Sequence, residues 1–289
     1  MGSNGMKLLN DIAKEQADIS TIVEISGIFE GIAGMRIAQV KNQVLRAQEF
    51  FNSLWQIYTQ IRVDSKFRFG RGETEDTINK ELLIVITAEG SLSGDIDQKL
   101  ITYMRQNFDP AKNDIIVIGH HGAIQLAAAG IAFKKYFKMP EKDENINTAP
   151  LIREVQSYKT TTVYYQTYVS LMTQDVKHIA LSSAVQQKGQ DVAGGAEVIS
   201  EDTYIFEPST YAVVNHLESS MLQIALSEVI LESKLAQYAS RFKAMSLSHS
   251  KAEDSLADLR IFYNRAKRAV KDERLKEIVN SLRKPEVQL

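Results

Sequence analysis

The sequence predicts an α/β protein in which long helices at the two chain ends pair as an antiparallel coiled coil and carry a central α/β domain between them. Three observations predict it. From Tyr204 the chain passes Glu207, Pro208 and Ser209 and then runs about seventy residues without another proline or glycine, the two residues that interrupt helices. Apolar residues recur in each terminal stretch at alternating steps of four and three, the period that lets helices supercoil. The middle alternates short apolar runs of strand length with helical patterns.

The first helix takes residues 6–62. Its stripe reads Leu8, Ile12, Glu15, Ile19, Ile22, Ser26, Phe29, Ala33, Ile37, Val40, Val44, Ala47, Phe51, Leu54, Tyr58 and Ile61. The steps alternate except at Ala33, where two steps of four adjoin, a local change of winding. Beside it stand Gly27, Gly31 and Gly34, each weakening a helix by about 1 kcal/mol relative to alanine. A glycine cluster serves close approach of another backbone or marks a bend, and both readings stand. Ser233, Ala236, Ala239 and Ser240 make the opposing helix small-sided, which favours close approach. Residues 62–79, with Gly70 and Gly72, read as a loop.

The central domain takes residues 80–200. Residues 81–87 and 114–119 are continuous apolar strands covered on both faces. Helices follow each of them, at 95–108 and 120–130. A polar, lysine-rich stretch runs to Asn147, and a helix capped by Thr148, with Pro150 in its first turn, runs to about Tyr158. Residues 161–171 and 176–182 read as a β-hairpin, and 186–195 as a flexible loop. The result is a small, Rossmann-like sheet flanked by helices. The last helix takes 204–284, with a stripe at Ala252, Leu256, Leu259, Tyr263, Ala266 and Val270. At ~1.5 Å per residue it extends for about 100 Å, more than one globular domain covers, so it needs a partner helix.

Composition narrows the function. The 289 residues are 44% hydrophobic and 24% charged with a net charge of −2, which argues against a protein built mainly to hold nucleic acid. No run of about 18 apolar residues is present to span a bilayer. Met1–Gly5 reads as a ragged start or expression scar. With no cysteine there is no disulfide, thiolate metal site or cysteine nucleophile, which fits a reducing compartment. Charge is uneven: Arg260, Arg265, Lys267, Arg268, Lys271, Arg274, Lys276, Arg283 and Lys284 face only Asp272, Glu273 and Glu277. Such a run is either a solvated cationic helix end, favourable against the macrodipole, or a surface that meets acidic loops of a surrounding partner.

No constellation reads as an active site. The turn Ala88-Glu89-Gly90-Ser91-Leu92-Ser93-Gly94 follows a buried strand as a phosphate cradle does, but it has no following lysine, and Glu89 and Asp95 repel phosphate. His120 and His121 are adjacent and share no helix face, which disfavours a metal. No nucleophile elbow occurs, and Tyr164, Tyr165 and Tyr168 read as sheet packing. The expected job is mechanical, with no cofactor.

Four segments carry a resemblance. Leu231-Glu232-Ser233, Ala236, Ala239, Arg241 and Ala244-Met245 resemble the C-terminal helix signature of the γ subunit of F-type ATP synthases, of which the chain looks like a divergent member. Ile86-Thr87-Ala88-Glu89 with Leu92-Ser93-Gly94 resembles that family's I-T-S-D-x-G-L-C-G turn, with Ser91 for glycine and Ser93 for cysteine. Tyr204-Ile205-Phe206-Glu207-Pro208-Ser209 is similar to its approach to the long helix. Leu259, Tyr263-Asn264-Arg265-Ala266-Lys267-Arg268-Ala269 and Glu277-Ile278-Val279 resemble its closing segment.

The resemblance implies a central-stalk rotor. Its coiled coil stands in the α3β3 ring of α and β subunits, its foot meets the c-ring and an ε-type subunit, and nucleotides and catalytic groups belong to the partners. It further implies a peripheral place on the cytoplasmic face of a bacterial-type membrane, β-subunit contacts at Arg265, Lys267, Arg268 and Glu277, and c-ring contacts at Tyr204 and Glu207. Departures leave alternatives. Lys267-Arg268 replaces arginine–glutamine, and lysine cannot reproduce an arginine fork. Lys271-Asp272-Glu273-Arg274 replaces I-T-K-E, and the K-I-T-K-A-M of the first helix is missing. A γ-like shaft in a specialised F1-like motor uncoupled from proton flow, a free-standing coiled-coil adaptor, and a nucleotide-binding enzyme are the competing readings.

Overall fold

The structure is a computed structural model that describes residues 2–60, 78–143, 146–181 and 207–283. The order of elements is α1 (Gly2–Gln60), β1 (Ile78–Ile86), α2 (Ile96–Arg105), β2 (Asn113–Ile118), α3 (His120–Ala128), β3 (Lys135–Phe137), α4 (Ala149–Gln156), β4 (Tyr158–Tyr168), β5 (Gln174–Ala180) and α5 (Thr210–Arg283). The chain falls into two compact units, Met1–Ile32 with Lys243–Leu289, and Ala33–Phe242. The loop expected at 186–195, the approach at 204–206 and most of the loop at 62–79 lie outside the described residues.

In the unit Ala33–Phe242, five strands form one sheet in the order β3-β2-β1-β4-β5. β1 runs parallel to β2 and β4, and β2 parallel to β3, while β5 returns antiparallel to β4 as the hairpin expected there. Side chains alternate across a strand, so each apolar run serves two cores. Leu82, Ile84 and Ile86 of β1 join Phe51 and Trp55 of α1, Leu151, Ile152 and Val155 of α4, and Met221, Leu226 and Ile230 of α5. Leu83 and Val85 face the other way, onto Leu100, Ile101 and Met104 of α2 and Leu126 of α3. Val40 of α1 packs on Leu231 and Leu235 of α5. Because α5 meets α1 along one side and the sheet along another, it is buried on nearly every side between Val229 and Ser240.

In the unit that pairs residues 1–32 with 243–289, Ala252, Leu256, Leu259, Tyr263, Ala266 and Val270 of α5 are all buried or half-buried, as the stripe predicts. The α1 stripe is corrected. Ile22 is 49% and Phe29 37% exposed, and Glu15 is exposed as well. The shielded positions are Leu9, Ile12, Gln16, Ile19, Val23, Ser26 and Glu30, flanked by Ser20 and Gly27, and the seam they trace keeps an alternation of three and four. The apparent slip at Ala33 arose from taking the more apolar Ile22 and Phe29 over Val23 and Glu30, whereas register follows the helix face.

The glycines also receive a different account. A Cβ at Gly27 would lie 3.6 Å from the His249 ring, one at Gly34 would lie 3.9 Å from the Phe242 ring, and one at Gly31 would meet nothing within 4 Å. Two of the three therefore seat rings rather than a second backbone, and α1 is helical throughout. Three smaller expectations are corrected as well. The lysine-rich stretch contains β3, too short to show a period. Thr148 stands at the N-cap of α4 but makes no cap bond; its hydroxyl donates to the Gln223 carbonyl of α5 at 3.1 Å instead. Tyr158 opens β4 rather than ending α4.

Candidate functional site

In an open parallel sheet, ligands settle where the strand order reverses, outside the carboxyl ends of the strands. Here that place is the end of β1, between β2 and β4. The sequence makes the turn tight. Gly119 follows β2 with φ +99°, and a Cβ there would stand 2.1 Å from the Thr87 carbonyl oxygen, a position only glycine fills. A Cβ at Gly122 would stand 2.4 Å from Thr87 Oγ1, so α3 lies directly on the end of β1.

The first N–H groups of a helix attract anions. At α3 the chain supplies its own acceptors. Glu89 accepts from the His120 N–H at 3.3 Å, the Met139 N–H at 3.0 Å and the Tyr136 hydroxyl at 3.0 Å. The His121 N–H donates to the Ala88 carbonyl at 3.1 Å and the Gly122 N–H to Thr87 Oγ1 at 3.0 Å. A carboxylate thus sits at the mouth that a phosphate would need, and Asp95, the other acid singled out, pairs with Lys99 at 2.9 Å.

The crevice itself is occupied by side chains. Asp97, fully buried in the first turn of α2, accepts from the Ala88 N–H at 3.2 Å and from Gln166 Nε2 of β4 at 2.7 Å. Its second oxygen lies 2.7 Å from His121 Nδ1. Burial, the largest influence, raises this carboxyl above its ordinary value, against the pull of His121 and Ala88. Ser233 donates to Gln166 Oε1, and Gln237 Nε2 donates to the same oxygen at 3.3 Å. Ser240 Oγ donates to the Ser93 carbonyl at 2.6 Å, and Arg241 Nη2 to the Ser91 carbonyl at 3.2 Å. The face holding Ser233 and Ser240 therefore docks on the sheet, a correction to the close helix approach expected from it.

Two segments quoted separately for their resemblance thereby meet. The turn 86–94 and the part of the helix signature from Leu231 to Arg241 are the two halves of one joint, in which Glu232 accepts from Thr167 and Ser233, Ser240 and Arg241 reach the sheet end. The network also explains the histidines: His121 faces Asp97, while His120 lies edge-on to the Tyr136 ring with centroids 6.3 Å apart. Among the described residues no group of three His, Asp or Glu side chains is placed to hold a metal. Sequence reasoning missed Asp97 although a signal was present, since it takes a place on the stripe of Leu100, Ile101 and Met104, where an acid needs partners to be buried.

The residues expected to meet partners lie apart from this joint. Arg265, Lys267, Arg268 and Glu277 are all exposed on α5, with Lys267 Nζ 5.9 Å from the centre of the Tyr263 ring. From Arg274 to Leu282 every residue is exposed. Glu207 is exposed, and Tyr204 lies outside the described residues.

Comparison with known proteins gives consistent matches. The model of a family described as ATP synthase matches residues 8–283. An ATP synthase gamma chain of Chlorobium phaeobacteroides is 22% identical over 295 residues, covering 95% of this chain and 97% of its own. One of Geobacter sp. is 20% identical over 297 residues, covering 95% and 98%. Among solved structures, a chain of the Euglena gracilis mitochondrial ATP synthase, OSCP/F1/c-ring, superposes with a TM-score of 0.64 at 15% identity over 94% of each chain. A chain of the Tetrahymena thermophila mitochondrial ATP synthase central stalk and c-ring gives 0.56 at 15% identity, over 77% of this chain and 98% of its own.

Proposed function

The chain belongs to the ATP synthase family, and from that premise we propose that it is the γ chain, the central-stalk rotor that couples rotation in the α3β3 ring to proton translocation through the c-ring. The observation that carries the reading is the match of nearly the whole chain, terminal helices and central domain in order, to γ chains of almost equal length. A coiled coil whose outward faces remain exposed fits a shaft that turns inside partners. The specialised motor and the free-standing adaptor are not favoured, because the relatives are named ATP synthase gamma chain over 95% of this sequence.

On this reading nucleotides bind and react on the partner subunits, and this chain supplies asymmetry and torque. The exposed cations Arg265, Lys267 and Arg268, with Glu277 further along, meet the β subunits, and Tyr204 and Glu207 meet the c-ring, beside an ε-type subunit. No helix among the described residues is long and apolar enough to cross a membrane. The chain is held at the membrane through its complex, on the cytoplasmic side in a bacterial cell.

Co-expression with the α and β subunits of the same organism tests the proposal. The expected result is a complex of three α, three β and one of this chain, whose ATPase changes on deletion of residues 260–289 and stops when a cross-link fixes this chain to β. Recovery of an α and β complex that excludes this chain would overturn it.

A further inference from the structure

We infer that Asp143 is a pin that locks both long helices to the α/β domain and so carries torque between the domain and the shaft. The inference rests on the rotor reading. Asp143 belongs to the segment after β3, which is itself tied to the β1 turn by the Met139 N–H on Glu89 at 3.0 Å. One Asp143 oxygen accepts from Lys234 Nζ of α5, and Arg36 Nη1 of α1 lies 3.6 Å from the other. Lys234 Nζ also donates to the Pro140 carbonyl at 2.8 Å. The Lys234 side chain is 4% exposed and that of Asp143 7%.

Toward its start α5 is held on the sheet by apolar residues, Met221, Ala225, Leu226, Val229 and Ile230. The hydrogen bonds of Ser233, Ser240 and Arg241 tie α5 alone to the sheet end. Apolar burial has no direction, so under a twisting load such a surface can slip to a neighbouring arrangement and keep much of its contact area. A buried ion pair cannot, since a slip leaves two charges unpaired away from water. The same reasoning says the pair adds little to net stability, because apolar residues of similar volume replace buried ion pairs at little cost. What it supplies is position. One carboxylate from the domain addresses a buried cation on α5 and a half-exposed one on α1. α5 therefore cannot move against the domain without breaking the buried pair, and α1 is tethered to the same carboxylate more weakly.

The test uses the assembled enzyme in inverted membrane vesicles, with ATP hydrolysis and ATP-driven proton uptake, read by quenching of an acridine dye, measured together. The Asp143→Leu/Lys234→Met variant is expected to assemble and hydrolyse ATP as the parent does, while proton uptake per ATP falls below the parent's and falls further as the opposing gradient grows. Uptake per ATP equal to the parent's at every gradient overturns the inference. Should the double variant not assemble, Arg36→Met, which leaves the Lys234 pair intact on a half-exposed side chain, is measured in its place. It is expected to lower uptake per ATP under the largest gradient only, and no change there likewise overturns the inference. Failure of the rotor reading looks different: the unaltered chain is then absent from the purified complex.

Discussion

His121 Nδ1 lies 2.7 Å from Asp97 Oδ2, and that aspartate has no exposed surface. Its proton is held more tightly in the folded chain than in the unfolded one, because burial, the first influence, outweighs the hydrogen bonds and charges that oppose it. A carboxyl raised on folding contributes most below its ordinary value of 3.8 and loses that contribution as the pH rises through the raised value. Asp97→Asn keeps an oxygen for Ala88 and Gln166 and cannot titrate. The unfolding free energy of the parent minus that of this variant is therefore expected to fall as the pH climbs from about 4 to 8, read from urea melts. A difference that grows with pH would mean that His121, not burial, governs the carboxyl.

Gly31 and Gly119 separate two uses of glycine. Nothing stands within 4 Å of a Cβ at Gly31 in α1, so Gly31→Ala is expected to stabilise by about 1 kcal/mol. Gly119→Ala places a Cβ 2.1 Å from a backbone oxygen at φ +99° and is expected to destabilise by about 3 kcal/mol or more. Thermal melts of the two variants should move in opposite directions.

Ser93 Oγ is buried, with its residue 1% exposed, and has no hydrogen-bond partner among the described residues. Removing an unsatisfied buried hydroxyl recovers its desolvation cost, so Ser93→Ala is expected to stabilise by about 1 kcal/mol. A loss in the denaturant midpoint would show that the hydroxyl has a partner.

Glu89 is the acceptor for three donors, the His120 and Met139 N–H groups and the Tyr136 hydroxyl. Glu89→Ala is expected to cost about 1–3 kcal/mol and to speed hydrogen exchange at the His120 and Met139 amides above that of the β1 amides. Unchanged exchange at those two amides would show that other acceptors suffice.

Much of the architecture was legible because it is periodic. The stripe from Ala252 to Val270 repeats its spacing over several turns, which averages out single misleading residues. The strand runs at 81–87 and 114–119 are continuously apolar, as strands covered on both faces are. Where the pattern rests on one choice per turn, it misled: Ile22 and Phe29 are more apolar than Val23 and Glu30, yet lie on the exposed face. β3, with three residues, offers no period to read.

By itself the sequence determined the helix–sheet–helix order, the seam of α5 and the strands β1 and β2, which are written in local spacing and composition. The family was carried by the resemblance of four short segments. The tertiary structure alone decided which distant polar groups meet. Asp97 finds Gln166 and His121, Ser240 finds Ser93, and Asp143 finds Lys234 and Arg36. The physical reason is that periodicity reports which face of an element turns away from water, whereas a hydrogen-bond partner is set by where folding brings a second element, and that position has no local imprint on the chain.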